Sequence, residues 1–266
     1  MRISSITLSH KKKETSSYPF TIPLIRSLSS LAFSSPVTFF AGENGSGKST
    51  ILEALAVAVQ STTIGSQSAA ADPTLFHVRP LAERLNITWE DRKQRGFFLR
   101  SEDFFNFVKE QNKLRAELLA NIAEVEETYQ SRSILAKNLA LSPYANSLSQ
   151  MEARYGKDLD AQSHGESFLN VLSSRVVPNG LYLLDEPEAA LSPMRQLTLI
   201  AMIKDAVMEG SQFIMATHSP ILLAYSGATI YEFEGSAIHP KKYDDLEHVT
   251  FTKSFLANPE QFLRHL

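Results

Sequence analysis

Two clusters of polar residues carry the chemistry this sequence can do. Gly42-Glu43-Asn44-Gly45-Ser46-Gly47-Lys48-Ser49-Thr50 fits the spacing G-x-x-x-x-G-K-[ST]. Glycines at those places let successive backbone N–H groups curl round an anion that a Cβ would hold off. Lys48 brings an ammonium for β- and γ-phosphates, Ser49 a hydroxyl ligand for Mg²⁺, and Thr50 a hydroxyl for the α-phosphate. The second cluster is Leu181-Tyr182-Leu183-Leu184-Asp185-Glu186-Pro187, an apolar run that ends in two carboxylates. On a buried strand, acids belong where the chain leaves the core, and in an open α/β sheet that carboxyl edge is where ligands sit. Asp185 is then the candidate to hold Mg²⁺ through water, and Glu186 the candidate to polarise an attacking water. A bare glycine turn and two solvated acids are the plain alternatives. Finding both clusters in one chain weighs against each.

Two further segments belong to the same pattern. Ala216-Thr217-His218-Ser219-Pro220 closes another apolar run and sets an imidazole at a strand end. Upstream of the acid pair lies Gln162-Ser163-His164-Gly165-Glu166-Ser167. A serine hydroxyl with the free N–H groups of a helix start makes a second anion site. Taken singly, His218 reads as a structural histidine and Ser163 as a helix cap; their order in the chain favours the site reading.

The elements that must position these residues are legible. Val37-Thr38-Phe39-Phe40 is a β-rich run leading into the glycine loop, and Ser49 to Val59 reads as a helix apolar nearly all round, hence buried. Gly180–Leu184, Gln212–Ala216 and Ala228–Phe233 read as strands, and Phe168–Val177 and Leu197–Met208 as helices. Apolar strands alternating with helices predict a parallel sheet covered on both faces. Residues 3–8 read as an early strand, 10–17 as a charged hairpin tip and 61–74 as a mobile loop. Leu85–Trp89 and Gly96–Arg100 read as strands on either side of a charged turn. The middle third is more polar. A helix is expected from Glu102, a helical pattern runs over 107–140, and Pro143 is expected to break it.

Composition sets outer bounds. The 266 residues include 26 basic and 29 acidic ones and no cysteine, so thiolate metal sites and cysteine nucleophiles are excluded and no global pull toward nucleic acid exists. No stretch has the run of apolar residues that a membrane span needs, and a cytoplasmic protein is the expectation.

Asp185-Glu186-Pro187-Glu188-Ala189-Ala190-Leu191-Ser192 resembles the Walker B and D-loop segment of ABC ATPases, and Ala216 to Pro220 resembles their H-loop. Gln162 to Ser167 stands where that family has its signature, with Ser163 and Gly165 matching, His164 in place of a glycine and Glu166 in place of a glutamine. The glycine loop, Gly96-Phe97-Phe98-Leu99-Arg100-Ser101-Glu102 and Phe255-Leu256-Ala257-Asn258-Pro259 are similar to the RecF, SMC and OLD branch and to small stand-alone bacterial ATPases described as AAA-family or ABC-type. The resemblance implies an α/β P-loop NTPase fold of ABC ATPase type, with a mixed sheet, helices on both faces and a helical insertion at about 100–165 in one domain spanning 1–266. It implies ATP and Mg²⁺ as ligands. Glu186, His218 and Lys48 become catalytic; Gly42 to Thr50 bind nucleotide; Ser163, Gly165 and Glu166 cap the γ-phosphate on a second subunit of an ATP-dependent homodimer. Ser49 and Asp185 become metal ligands, with Gln94 the candidate Q-loop residue and Arg100 or Glu102 its alternatives. A role in regulation, DNA maintenance or defence, with DNA or a protein partner, is expected. A transporter ATPase subunit and a slow nucleotide switch are the alternatives.

Overall fold

A computed structural model describes residues 2–9, 17–65, 68–91, 96–155 and 164–264. The chain divides into two compact units, one of Met1–Ser101 with Val176–Leu266 and one of Glu102–Arg175. Among its described residues the larger unit holds ten strands: β1 (Arg2–Leu8), β2 (Ser30–Ala32), β3 (Val37–Gly42), β4 (Thr62–Thr63), β5 (Leu85–Asp91), β6 (Gly96–Arg100), β7 (Leu181–Asp185), β8 (Gln212–Ala216), β9 (Thr229–Glu234) and β10 (Ala237–Lys241). Seven form one sheet in the order β10-β9-β3-β8-β7-β6-β4, and β2-β1-β5 form a smaller one. All pairs of the large sheet are parallel except β9 with β10. The small sheet is antiparallel.

Hydrophobic pattern explains this arrangement. β3, β7 and β8 are apolar at nearly every position and buried along their length, as central parallel strands covered on both faces must be. The helix Lys48–Ala58 buries Ile51, Leu52, Ala54, Leu55, Ala56 and Val57, and packs against β7 and β8 on one side and β5 on the other. Its lack of a polar face is therefore a consequence of lying between two sheets. The sheets are also clasped directly. Gln212 on β8 is fully buried, and its amide accepts from Ile3 N–H at 2.7 Å and donates to Ile3 C=O at 2.9 Å. One side chain thus satisfies both backbone groups of a residue of β1.

The two strands flanking the charged turn part company: β5 pairs with β1, and β6 runs parallel to β7. The stretch expected as a mobile loop over 61–74 instead carries β4, an isolated bridge between Thr62 and Ser68, and the start of a 3-10 turn at Pro73–Val78. Asp72 opens that turn by accepting from Thr74 N–H at 2.8 Å. The charged segment at 10–16 lies outside the described residues.

The smaller unit is helical. The helices Ser101–Thr128, Ile134–Tyr155 and His164–Ser173 supply it, and the last begins four residues before the Phe168 start that periodicity suggested (168 against 164). Phe104 meets Phe168 edge-on at 5.0 Å, Phe107 meets Tyr155 at 5.6 Å, and Arg115 pairs with Glu152 at 3.6 Å. Pro143 does not break the chain here; it sits inside the helix Ile134–Tyr155. The interruption falls earlier, and Ser133 starts the next helix by accepting from Ala136 N–H at 3.2 Å. A proline in mid-helix removes one donor and crowds one carbonyl. Beyond it the buried Met151 and Tyr155 hold the following turns, so packing outweighs the local penalty. No helix among the described residues is long and apolar enough to cross a membrane.

The clasp yields a stability test. Gln212→Leu leaves an N–H and a C=O of Ile3 without partners in the core, and each orphan costs about 1–3 kcal/mol. A loss of roughly 2–6 kcal/mol in urea unfolding is expected; an unchanged midpoint overturns this account.

Candidate functional site

Backbone geometry shapes the glycine loop. Gly42 leaves β3 at φ 131°, where a Cβ would stand 2.5 Å from the carbonyl oxygen of Phe233 on β9. Gly47 takes φ 100° directly before the helix that starts at Lys48. The Lys48 side chain is 4% exposed and folds back over the loop, donating to Gly42 O and Glu43 O at 2.8 Å each. Burial pushes its pKa down, against the raising influence of Glu186, Asp185, Glu188 and Glu43. Ser46 Oγ is buried with no hydrogen-bond partner among the described residues.

The two sequence clusters meet. Ser49 Oγ donates to Asp185 Oδ1 at 3.0 Å, across 136 positions of chain. Register explains the meeting: Asp185 ends β7 opposite Arg100 of β6 and Ala216 of β8, so all three strands finish at one carboxyl edge. Burial lifts the pKa of Asp185 to about 7; the Ser49 hydrogen bond and Lys48 oppose this, while Glu53 and Glu186 add to it. No group of three or more His, Asp or Glu able to hold a metal gathers among the described residues. The Ser49 hydroxyl and one carboxylate suit Mg²⁺, which takes one or two protein ligands and completes its shell with phosphate oxygens and water.

Glu186 stands in a left-handed conformation, φ 48° and ψ 49°. Its N–H donates to Ala216 O at 2.9 Å, and Ser101 Oγ donates to its carbonyl oxygen and, at 3.4 Å, to that of Asp185. Such a conformation costs about 1–3 kcal/mol for a residue with a side chain and persists only where neighbours enforce it. The Glu186 carboxylate lies 3.8 Å from His218 Nε2. Burial lowers the pKa of His218 and Lys48 lowers it further, against Glu186, so the imidazole is neutral at pH 7.

The loop bearing His218 is held from the segment after the acid pair. Glu188 Oε1 accepts from His218 N–H at 2.7 Å, and the Thr217 hydroxyl also bonds this carboxylate. Burial pushes the pKa of Glu188 up. Ser219 Oγ donates to Gln196 Oε1 and caps the short helix Pro220–Leu223, while Gln196 Nε2 donates to Leu191 O at 3.3 Å. A cavity of about 670 Å³ opens over the loop, lined by Gly42 to Ser46 and His218 among others.

A second polar cluster gathers at Glu53 of the helix Lys48–Ala58. Glu53 accepts from Arg100 at 3.4 Å and pairs with His77 Nε2 at 3.1 Å; Arg100 also reaches Thr74 Oγ1 at 2.8 Å. Tyr18 hydroxyl bonds Thr50 Oγ1 at 3.0 Å and its ring lies 5.5 Å from that of His77. Sequence reading does not assign Glu53, Tyr18, Ser101 or Gln196. The one available signal is Glu53, the lone acid in the otherwise apolar stretch Ile51–Val59.

Of the remaining sequence-predicted residues, Gly165 is buried and Glu166 exposed, both in the first turn of the helix His164–Ser173 in the smaller unit. Ser163 and Gln94 lie outside the described residues. Arg100, an alternative to Gln94, is 5% exposed and engaged with Glu53, and Glu102 belongs to the smaller unit.

A raised carboxylate pKa fixes a pH dependence. Below pH 4 Asp185 is protonated folded or unfolded and contributes no difference. Between pH 4 and 7 only the unfolded chain ionises, so stability falls as pH rises, and above 7 the full penalty stands. Asp185→Asn is therefore expected to unfold later than wild type in metal-free buffer, by a margin that widens from pH 4 to 7 and then levels. Thermal melts across that range check it; a constant margin, or none, counts against the buried acid.

Sequence comparison matches residues 20–197 to the family described as AAA domain. No curated protein matches the chain in sequence. Among solved structures, cbiO1 from Clostridium perfringens, part of the ABC transporter complex cbiONQ, is 15% identical with a TM-score of 0.46 and full coverage of both chains. The SMC head domain from Thermotoga maritima is 16% identical at TM-score 0.46, over 91% of this chain and 100% of that one. A nucleotide-free ATP-binding cassette from an ABC transporter is 16% identical at TM-score 0.45, over 100% and 99%.

Proposed function

Because the chain belongs to the AAA domain family and has the fold and motif order of an ABC-type P-loop ATPase, we propose that it binds and hydrolyses ATP with Mg²⁺ in a nucleotide-gated homodimer. The observation that carries this reading is the 3.0 Å hydrogen bond from Ser49 to Asp185, which brings phosphate loop and acid pair to one point.

ATP is the substrate, and the loop's backbone N–H groups with the helix start at Lys48 receive its phosphates. Lys48 exchanges two carbonyl partners for phosphate oxygens, a step favoured by the depressed proton affinity its burial imposes being relieved by an anion. Ser49 and Asp185 are the residues to hold Mg²⁺, which when bound neutralises charge on the β- and γ-phosphates. Glu186 accepts a proton from water as the water oxygen attacks the γ-phosphorus and the bond to the ADP oxygen breaks. His218, neutral and 3.8 Å from that carboxylate, orients the same water. In the dimer, the segment of Ser163, Gly165 and Glu166 caps the γ-phosphate held by the other copy, so hydrolysis removes the bridge. Regulation, DNA maintenance or defence is the role this cycle suits, with DNA or a protein as the partner.

Glu186→Gln is expected to bind ATP normally, to lose turnover by about 100-fold or more, and to accumulate as a dimer in light scattering. Lys48→Ala is expected to lose nucleotide binding altogether. Absence of heat on titrating ATP into the wild-type protein overturns the ATPase reading, and a monomer of the glutamine variant at saturating ATP overturns the dimer.

A further inference from the structure

The cavity over the phosphate loop has a wall that none of the nucleotide motifs supplies. β9, β10 and the helix Glu247–Ala257 contribute Glu232, Glu234, Lys241, His248 and Phe251 to its lining. Most of the charge on that wall is already matched. Lys241 pairs with Glu232 and, at 3.6 Å, with Glu234.

His248 is different. Its Nε2 is buried and has no hydrogen-bond partner among the described residues, and the same is true of the Nε2 of His218, a residue that lines the same cavity. The two rings share an electrostatic environment: burial and Lys48 lower the pKa of both, Glu186 opposes this at His218 and Glu232 at His248, and His248 acts on His218. A buried ring nitrogen without a partner is unfavourable until a ligand supplies one. Two such nitrogens beside an ammonium and a glycine loop make a site for an anion larger than the loop alone accommodates.

We propose that His248 donates from Nε2 to the terminal phosphate of bound ATP, as a second imidazole beside His218, so that the helix Glu247–Ala257 senses whether a γ-phosphate is present. The proposal rests on the ATP reading above and adds a residue that no motif of the chain marks. The helix is built to pass a displacement on. Phe251 lines the cavity and also meets Phe262 at 5.5 Å, and Phe262 meets Phe255 at 5.7 Å, which ties this helix to the helix Pro259–Leu263.

Calorimetry on the full chain with Mg²⁺, using ADP and the β,γ-imido analogue of ATP, separates the two ideas. His248→Ala is expected to leave ADP affinity within twofold and to weaken the analogue about tenfold. His248→Gln, whose amide can donate, is expected to recover part of the loss. Equal affinity of wild type and the alanine variant for the analogue overturns the proposal, as does an equal loss on both nucleotides. A wild-type protein that binds neither nucleotide overturns the ATP reading itself, and the His248 contact with it. A measurement without substitution guards against a variant that fails to fold: ¹⁵N imidazole spectra of the wild-type chain. A His248 Nε2 signal that shifts with the analogue and not with ADP supports the contact; the same shift with both, or with neither, refutes it.

Discussion

Lys48 and Asp185 lie at the same carboxyl edge, yet among the described residues no ion pair joins them. The ammonium is stabilised by two loop carbonyls and the carboxyl by a serine hydroxyl, and burial opposes the charged form of each. A direct salt bridge would neutralise both and close the site. Keeping them apart leaves an acid whose pKa is raised to about 7 and an ammonium whose pKa is lowered, both at one strand edge. Such perturbation is what a binding edge shows when its ligand supplies the missing charge.

Everything around that edge serves to keep the separation. The glycine at 42 lets β3 approach β9 so closely that a Cβ would collide, and this fixes where the loop departs. The parallel register of β6, β7 and β8 ends all three strands at the same level. Hydrogen bonds from Glu188 and Gln196 then tie the chain after Asp185 to the turn bearing His218. The chain after the acid pair and the turn bearing the imidazole are therefore braced against each other.

Much of this is legible from residue types alone. Four apolar residues followed by Asp185 and Glu186 specify a buried strand reaching the surface, and the spacing from Gly42 to Ser49 specifies a glycine-rich turn between a strand and a helix. These signals are local, so one segment of sequence contains them. Other features depend on distant partners and leave no local trace. Tyr18 meets Thr50, Ser101 meets the carbonyl of Glu186, and Gln212 meets Ile3 only because the sheets are stacked as they are. Pro143 misleads for the same reason, since the residues that keep its helix intact lie a turn or more further on. Glu188 falls between these cases: it is visible as an acid next to the pair, but its hold on His218 N–H needs the neighbouring strand in place.

The left-handed backbone at Glu186 sets two selective pressures against each other at one codon. A glycine there would adopt the same torsion freely and give a sturdier protein, yet it would delete the carboxylate that faces His218. A lineage drifting without demand for turnover should therefore slide toward robustness at this position.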